Sequence, residues 1–589
     1  MTVDIRVIRA GQMYRYYLRQ TVVGDGRRPA RTPLREAQEQ AGVPVGRWMG
    51  RGLSVLGLAP GEEVTEAQLR NLFGERGRHP DADRIEADRL AADDSPKKAF
   101  KAGALGRRVT VTGVDFVFRP QPTIYLLWAL GDEETRRVIE AAHERAIERV
   151  LEWIEDEVAV IRYGKDGIYR VRPPGGLVAA RFRHYEARSG MPLLHDHLLL
   201  SVKGQRLDGK WGSIHTTALY ENTVAASALY NEIVAAEVCE ALGLATEPRT
   251  VTPGRRPVME IAGIDRRLIG WQSTRRQQIA DALSDLTADY EERQGHPPGE
   301  RAAYALGCQA ADRTRPPKRT VARSLSELRE RWRNSAMRAF GACTVYQLAR
   351  RARSAAAAVW ARVRPVVDIA LAAVDTVAVV YVMRGAFQYR HLLAEARRHL
   401  SHVLRGRPHQ LGLDEQIVQT AVDNYTRTVG RMMTADLRAL YPRDTEDQAV
   451  LRPLTRSRSA SPYERARLAA GALTARIHAA RRSDRLGSRS RPHTVAVPAA
   501  APRPRTRPTR MDRKVGHVPE QTTDVATVEQ TRRTFEAAAK MAAKLQDGIR
   551  ERAVASGPQP QRDPAAPTAQ RPQQPARPSA PNRPAGGVA

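Results

Sequence analysis

Two spacings of apolar residues organise the first 250 residues of this chain, and the switches between them mark its elements. A period of two, rich in β-branched side chains, predicts strands at Val3–Ile8, Val109–Phe118, Tyr169–Val171 and Leu177–Phe182, the last two separated by "PPGG". A period near 3.6 predicts helices. "VTEAQLRNLFGE" has Thr65 placed as N-cap. Glu133 to Val160 repeats Val138, Ala142, Ala146, Val150 and Ile154 on one face, and "ENTVAASALYNEIVAAEVCEALG" stops at Gly243. Ile124–Leu130 is simply apolar, and residues 75–108 are charged and read as loop. Leu193–Leu200, "LLHDHLLL", reads as a buried strand, and Asp208-Gly209 as the hairpin turn after it. Strands mixed with helices and joined by hairpin-type turns predict an α+β unit with a mostly antiparallel central sheet flanked by helices.

Beyond residue 265 the pattern is nearly all helical, up to about residue 440. Val366–Met383 is apolar enough to suggest a membrane span, but it carries Asp368 and Asp375. Their i, i+7 spacing puts both on one face of a helix, which predicts a buried amphipathic helix and no membrane span, because carboxylates are costly in a bilayer. After Leu454 the chain turns to Arg, Pro, Ser and Ala and has too little apolar surface to fold, apart from one helix near 523–553. The expected division is 1–295, 296–454 and 455–589, the last a mostly disordered basic tail.

Charge narrows the function. Lys and Arg number 95 against 65 Asp and Glu, a formal +30, and such an excess points to a polyanion, most simply nucleic acid. A solvated basic tail is the plainer explanation of the same number. The three cysteines, Cys239, Cys308 and Cys343, lie far apart. They offer neither a disulfide framework nor a thiolate zinc site, which fits a reducing cytoplasm. The N-terminus lacks the apolar core of a signal peptide, and no G-x-x-x-x-G-K-[ST] loop occurs.

Candidate chemistry sits in three places. His195 and His197, at i, i+2 on a strand, put both imidazoles on one face. With His184, at the end of the preceding strand, they can converge as a three-nitrogen divalent-metal site with open positions. The plainer reading is polar strand residues satisfied by backbone or water. Tyr14, Tyr16 and Tyr17 crowd "AGQMYRYYLRQ", either as aromatic packing or as a source of a phenolic nucleophile that a metal-bound phosphate would make effective. Asp115, inside the strand "TGVDFVF", is either an edge acid or a partner for a ligand imidazole. Asp196, between the two histidines, should point to the opposite face of the sheet and needs a basic partner there.

The order of these features resembles the TrwC/TraI-type conjugative relaxases of the HUH endonuclease superfamily, without the helicase half of longer relatives. "RAGQMYRYY", "GRWMGRGLSVLGL", "GVDFVFRPQPTIYLLWAL" and "FRHYEARSGMPLLHDHLLLSVKGQRLDGKWGSIHTTALY" carry the resemblance, over roughly residues 5–290. It implies an enzyme that nicks one DNA strand at a plasmid or mobile-element transfer origin. Tyr16 would attack the scissile phosphate, with Tyr17 beside it and Tyr14 as fallback. His184, His195 and His197 would hold one divalent ion (Mg or Mn, with Zn an option), and Asp115 would orient a ligand histidine or help deprotonate the tyrosine. Tyr14, Arg119 and Arg188 are candidate DNA contacts, and Trp48, Trp128 and Trp211 candidate stacking surfaces. The implied partners are single-stranded origin DNA and other proteins of the relaxosome or transfer apparatus. Two departures stand out. "RTPLREAQEQAGVPVGRW" holds no second tyrosine pair, and "RPQPT" at Arg119–Thr123 lacks the lysine of the family's stretch. A non-catalytic DNA-binding protein on a degenerate relaxase fold and a rolling-circle replication initiator remain the alternatives.

Overall fold

The computed structural model describes residues 2–18, 32–164, 169–251, 256–273, 275–316, 323–431 and 449–453. The predicted tail, 455–589, and its helix near 523–553 lie outside the described residues. Up to residue 214 the strands are β1 (Val3–Arg9), β2 (Arg47–Met49), β3 (Val111–Phe118), β4 (Ile161–Tyr163), β5 (Tyr169–Val171), β6 (Ala179–Glu186), β7 (Pro192–Ser201), β8 (Lys203–Gln205) and β9 (Trp211–Ile214). The central sheet has the order β1-β3-β7-β6-β2, and every pairing in it is antiparallel. A smaller sheet, β5-β4-β9-β8, flanks it.

The sheet has two differently covered faces because its strands alternate. Val3, Phe116, Phe118, Leu194, Leu198 and Leu200 point to one face, where the helices Pro122–Leu130, Glu133–Trp153 and Thr216–Leu242 bury them. Ile8, Trp48, Ala180, Phe182 and Leu199 point to the other, under Tyr14, Tyr17, Leu53, Leu72 and Phe73. Each fully buried leucine of β7 contributes about 1.5–3 kcal/mol of transfer free energy, so the strand's register is set from both sides. At the β2 edge the chain passes close beneath the Leu177 carbonyl. A Cβ on Gly50, whose φ is 102°, would sit 2.3 Å from that oxygen, so the glycine of "RWMG" is required by space as well as by backbone conformation.

Asp196 is fully buried on the helix-covered face. Arg183 donates to it through Nε and Nη2 at 3.0 and 3.1 Å. The Nε of Arg181 is 3.6 Å away, and His143 Nε2 is 3.1 Å away. Burial alone would push this carboxyl's pKa up, but Arg183, His143 and Arg181 outweigh it and hold the pKa well below the usual carboxylate range. The basic partner expected behind the sheet is therefore this cluster.

Several elements differ from the sequence reading. Residues 75–108 contain two helices, Ala82–Ala91 and Pro96–Ala102, instead of loop. Each buries a single alanine, Ala82 and Ala99, so no apolar stripe existed to reveal them. The apolar run at 124–130 is a helix buried on every side, and a helix without a polar face has no period to detect. Asp368 and Asp375 do not share a helix face. Asp368 is the N-cap of Ile369–Arg384, accepting from Leu371 N, while Asp375 is buried within the helix. No described helix is long and apolar enough to cross a membrane. The helix Leu325–Phe340 packs Leu328, Trp332 and Ala336 into the core of the central sheet, whereas Val367 to Ala421 form a separate apolar cluster.

Asp196→Ala removes the buried carboxylate nearest Arg183, leaving Glu144 at 3.7 Å to balance it, and is expected to cost about 3–5 kcal/mol. Equilibrium urea unfolding reads this as a lower midpoint, and an unchanged midpoint would show that the buried cluster contributes nothing to stability.

Candidate active site

The site forms where three strands pair. His184 on β6 lies directly opposite His195 on β7, and His197 follows two residues on, on the same face. One ligand nitrogen from each of the three rings lies within 4.8 Å of the others. Ring centroids are 4.8 to 5.4 Å apart, too close for three cations and suited to neutral imidazoles around a shared ion. Two rings are oriented from behind. His197 Nδ1 is 3.0 Å from both oxygens of Asp115, and His195 Nδ1 is 2.9 Å from the Leu193 carbonyl. An acceptor at Nδ1 fixes its proton there and leaves Nε2 as the electron-pair donor, the arrangement of metal-ligating histidines. The donor set therefore fits a divalent ion. Three imidazole nitrogens suit a first-row transition ion better than Mg²⁺, which prefers oxygen ligands.

Asp115 has a second role. Only 2% exposed, it also places its charge beside the Tyr17 phenol. Burial first, and then the Asp115 charge, push the Tyr17 phenol well above its ordinary range. Tyr17 is thus neutral, packed with Tyr14 in the second core cluster. Tyr16 lies across from it, its ring perpendicular at 5.8 Å. At 41% exposure it is the accessible tyrosine of the three. The Nη2 of Arg188 donates to its hydroxyl oxygen at 3.3 Å. The helix Gln12–Tyr16, followed directly by Tyr17, explains this division, because consecutive residues on a helical turn project about 100° apart.

Tyr16 and the three histidines line one cleft of about 1310 Å³, together with nine arginines and four carboxylates. Arg119 and Arg188 are among the lining residues. Arg119 is ion-paired with Asp4, which accounts for part of its charge. The "RPQPT" segment is structural on its far side. The Gln121 Nε2 donates to the Asn231 carbonyl at 3.1 Å, and Thr123 Oγ1 donates to Glu260 at 2.7 Å and accepts from Ile261 N at 2.8 Å. Of the tryptophans, Trp48 and Trp128 are fully buried. The former donates to Gln68 and the latter to Glu140, so neither offers a stacking surface. Trp211 is partly buried and packs on the second cluster. Sequence reasoning missed Arg6, Arg249, Arg256, Arg275, Arg315, Arg384 and Arg398 as cleft residues, because they come from segments far apart in the chain.

A family model described as TrwC relaxase matches residues 10–339, and the chain belongs to that family. Solved structures of the conjugative relaxase TrwC with oriT DNA are similar to it. The metal-bound complex is 22% identical, with a TM-score of 0.40, over 57% of this chain and 98% of that one. The copper-bound complex is 23% identical at the same TM-score and coverage. The metal-free complex is 22% identical, with a TM-score of 0.39 and the same coverage. No curated protein matches the chain.

Asp115→Asn is expected to weaken divalent-ion binding by about 10–100-fold, the usual cost of losing a carboxylate behind a ligand histidine. Calorimetric titration of Mn²⁺ or Zn²⁺ into the metal-stripped protein measures it, and equal affinities would remove Asp115 from the metal site.

Proposed function

We propose that this relaxase-family protein cuts one strand of origin DNA by transesterification, with Tyr16 as nucleophile. The observation that carries the reading is the convergence of an exposed tyrosine and a three-histidine cluster in one arginine-rich cleft. The new bond joins Tyr16 Oη to phosphorus, and the bond to the 3′ oxygen breaks. The phenol proton goes, in net terms, to that leaving oxygen. No water is consumed, so the 5′-phosphotyrosyl linkage retains the energy needed to rejoin strands.

The chain's own groups divide the work. His184, His195 and His197 would hold the divalent ion, which when bound supplies Lewis-acid polarisation of the scissile phosphate. Asp115 keeps His197 oriented, and its charge beside the buried Tyr17 helps keep that phenol protonated. Tyr17, buried and neutral, positions the turn that carries Tyr16. Arg188 aims the Tyr16 hydroxyl into the cleft and presents positive charge where the oxygen sheds its proton. The remaining cleft arginines bind phosphates with little sequence preference and strong salt dependence. With no second tyrosine pair in "RTPLREAQEQAGVPVGRW", a second cleavage within one event would require another protomer or Tyr14. Tyr14 is buried and packs against Gly74, which favours another protomer.

Incubation with single-stranded origin DNA and Mn²⁺ or Mg²⁺, followed by a denaturing gel, tests the assignment. The expected result is a covalent protein–DNA adduct that Tyr16→Phe and His195→Ala abolish and Tyr17→Phe retains. Loss with Tyr17→Phe and survival with Tyr16→Phe would move the nucleophile. Binding without an adduct under any divalent ion would favour the non-catalytic reading.

A further inference from the structure

The cleft has a wall that lies outside the residues matched to the family. Helices Ile369–Arg384 and Tyr389–Leu404 follow residue 339, yet Val380, Met383, Arg384, His391 and Arg398 line the same cleft as Tyr16 and the histidines. We propose that this helical pair is a second DNA-binding wall, with Arg384 and Arg398 contacting the phosphates of a single strand that passes the histidine cluster. The proposal rests on the DNA-cleaving reading above, and extends its binding surface to a segment that the family does not account for.

Two observations carry it. First, the wall is fixed to the catalytic half through buried polar contacts. Arg256, between strands Thr246–Arg249 and Val258–Ile261, is 3% exposed at its side chain. It donates from Nη2 to Asp375 at 2.8 Å and from Nε to Glu395. His399 Nδ1 pairs with Asp375 at 2.7 Å. Arg397 bridges Asp414 at 2.7 Å and the Ala225 carbonyl at 3.1 Å, while Ala394 closes on Ala225 and Ala228. Separating these pairs would strand buried charges, so the wall keeps its place relative to the sheet.

Second, the carboxylates of the wall are engaged by Arg256, which leaves Arg384 unpaired among the described residues and Arg398 with one long contact. Asp375 and Glu395 are both claimed by Arg256. Glu395 is left with one further, 3.4 Å contact to Arg398, whose side chain is 44% exposed. Arg384 is exposed at the end of its helix, and no described carboxylate pairs with it. His391 is held neutral, its pKa depressed to about 3 by burial and by Arg384 and Arg390, and its Nδ1 accepts from Gln388 N. The face is therefore cationic, with the exposed apolar Met383 next to Arg384. Such a surface suits a single strand, whose phosphates and bases are both accessible.

The test measures binding of a short fluorescent single-stranded DNA to the full chain across a salt series. Each phosphate contact on a single strand contributes about 0.7 to the slope of log affinity against log salt. Arg384→Ala with Arg398→Ala is expected to lower the slope by about 1.4, twice that per-contact value. Arg350→Ala with Arg362→Ala, which removes equal charge from exposed positions outside the cleft, is expected to leave it unchanged. Arg384→Lys, which keeps the charge, should retain its share of the slope. An unchanged slope in the Arg384/Arg398 variant, with the unaltered chain still forming its covalent adduct, overturns the wall and leaves the catalytic reading intact. Equal losses in both double variants overturn it as well, since the effect would then be general charge. Absence of any binding by the unaltered chain would defeat the catalytic reading and the wall together.

Discussion

The strict alternation of strand β7 between its two neighbours is the constraint on which the molecule turns. One strand must present imidazoles to a solvent-filled cleft and a carboxylate to a sealed interior, and it must do so at adjacent positions. Only the period of two makes this possible. His195 meets His184 because β6 pairs opposite it, and Asp196 meets Arg183 because the same pairing continues one residue on. A slip of one residue would turn the histidines toward the arginines and the carboxylate toward the cleft. The polar triplet thus pins the register that the leucines around it would hold less specifically.

Asp115 extends that constraint to the tyrosine. It sits one strand over, diagonal to His197, hydrogen-bonds the ligand imidazole and sets its charge beside the buried Tyr17 phenol. The short helix that begins at Gln12 is therefore not an independent arm. Its orientation is tied to the ring that would hold the metal, and the sharing of one carboxylate explains why two adjacent tyrosines have such different surroundings.

Much of this was legible before any coordinates. The convergence of His184, His195 and His197 could be anticipated because strand periodicity converts spacing into direction, whereas Asp115 was placed beside them only by the family resemblance. The opposite orientation of Asp196 followed from the same rule, although its partners did not: Arg181 and Arg183 are near in sequence, but His143 comes from a helix with no local signal for the contact. The helices within 75–108 and the buried helix at 122–130 escaped for opposite reasons, one having almost no apolar face and the other no polar one. Beyond Arg119 and Arg188, which the resemblance pointed to, the basic cleft was legible only as net charge. Its arginines are drawn from strands, loops and helices hundreds of residues apart, and one-dimensional pattern carries no information about which of them meet.

The placement of Arg256 bears on how this chain can be divided. A piece ending at residue 339 would contain the strands, the histidines and the tyrosines. It would lose the carboxylates that pair Arg256, and a face of the helix Thr216–Leu242 would be stripped of its cover at Ala225 and Ala228. In this protein the segment shared with relatives therefore makes polar and apolar contacts with helices that follow it. The helices Ile369–Arg384 and Tyr389–Leu404 thus close one side of the cleft and cover part of the core, so a change in their packing would reach both at once.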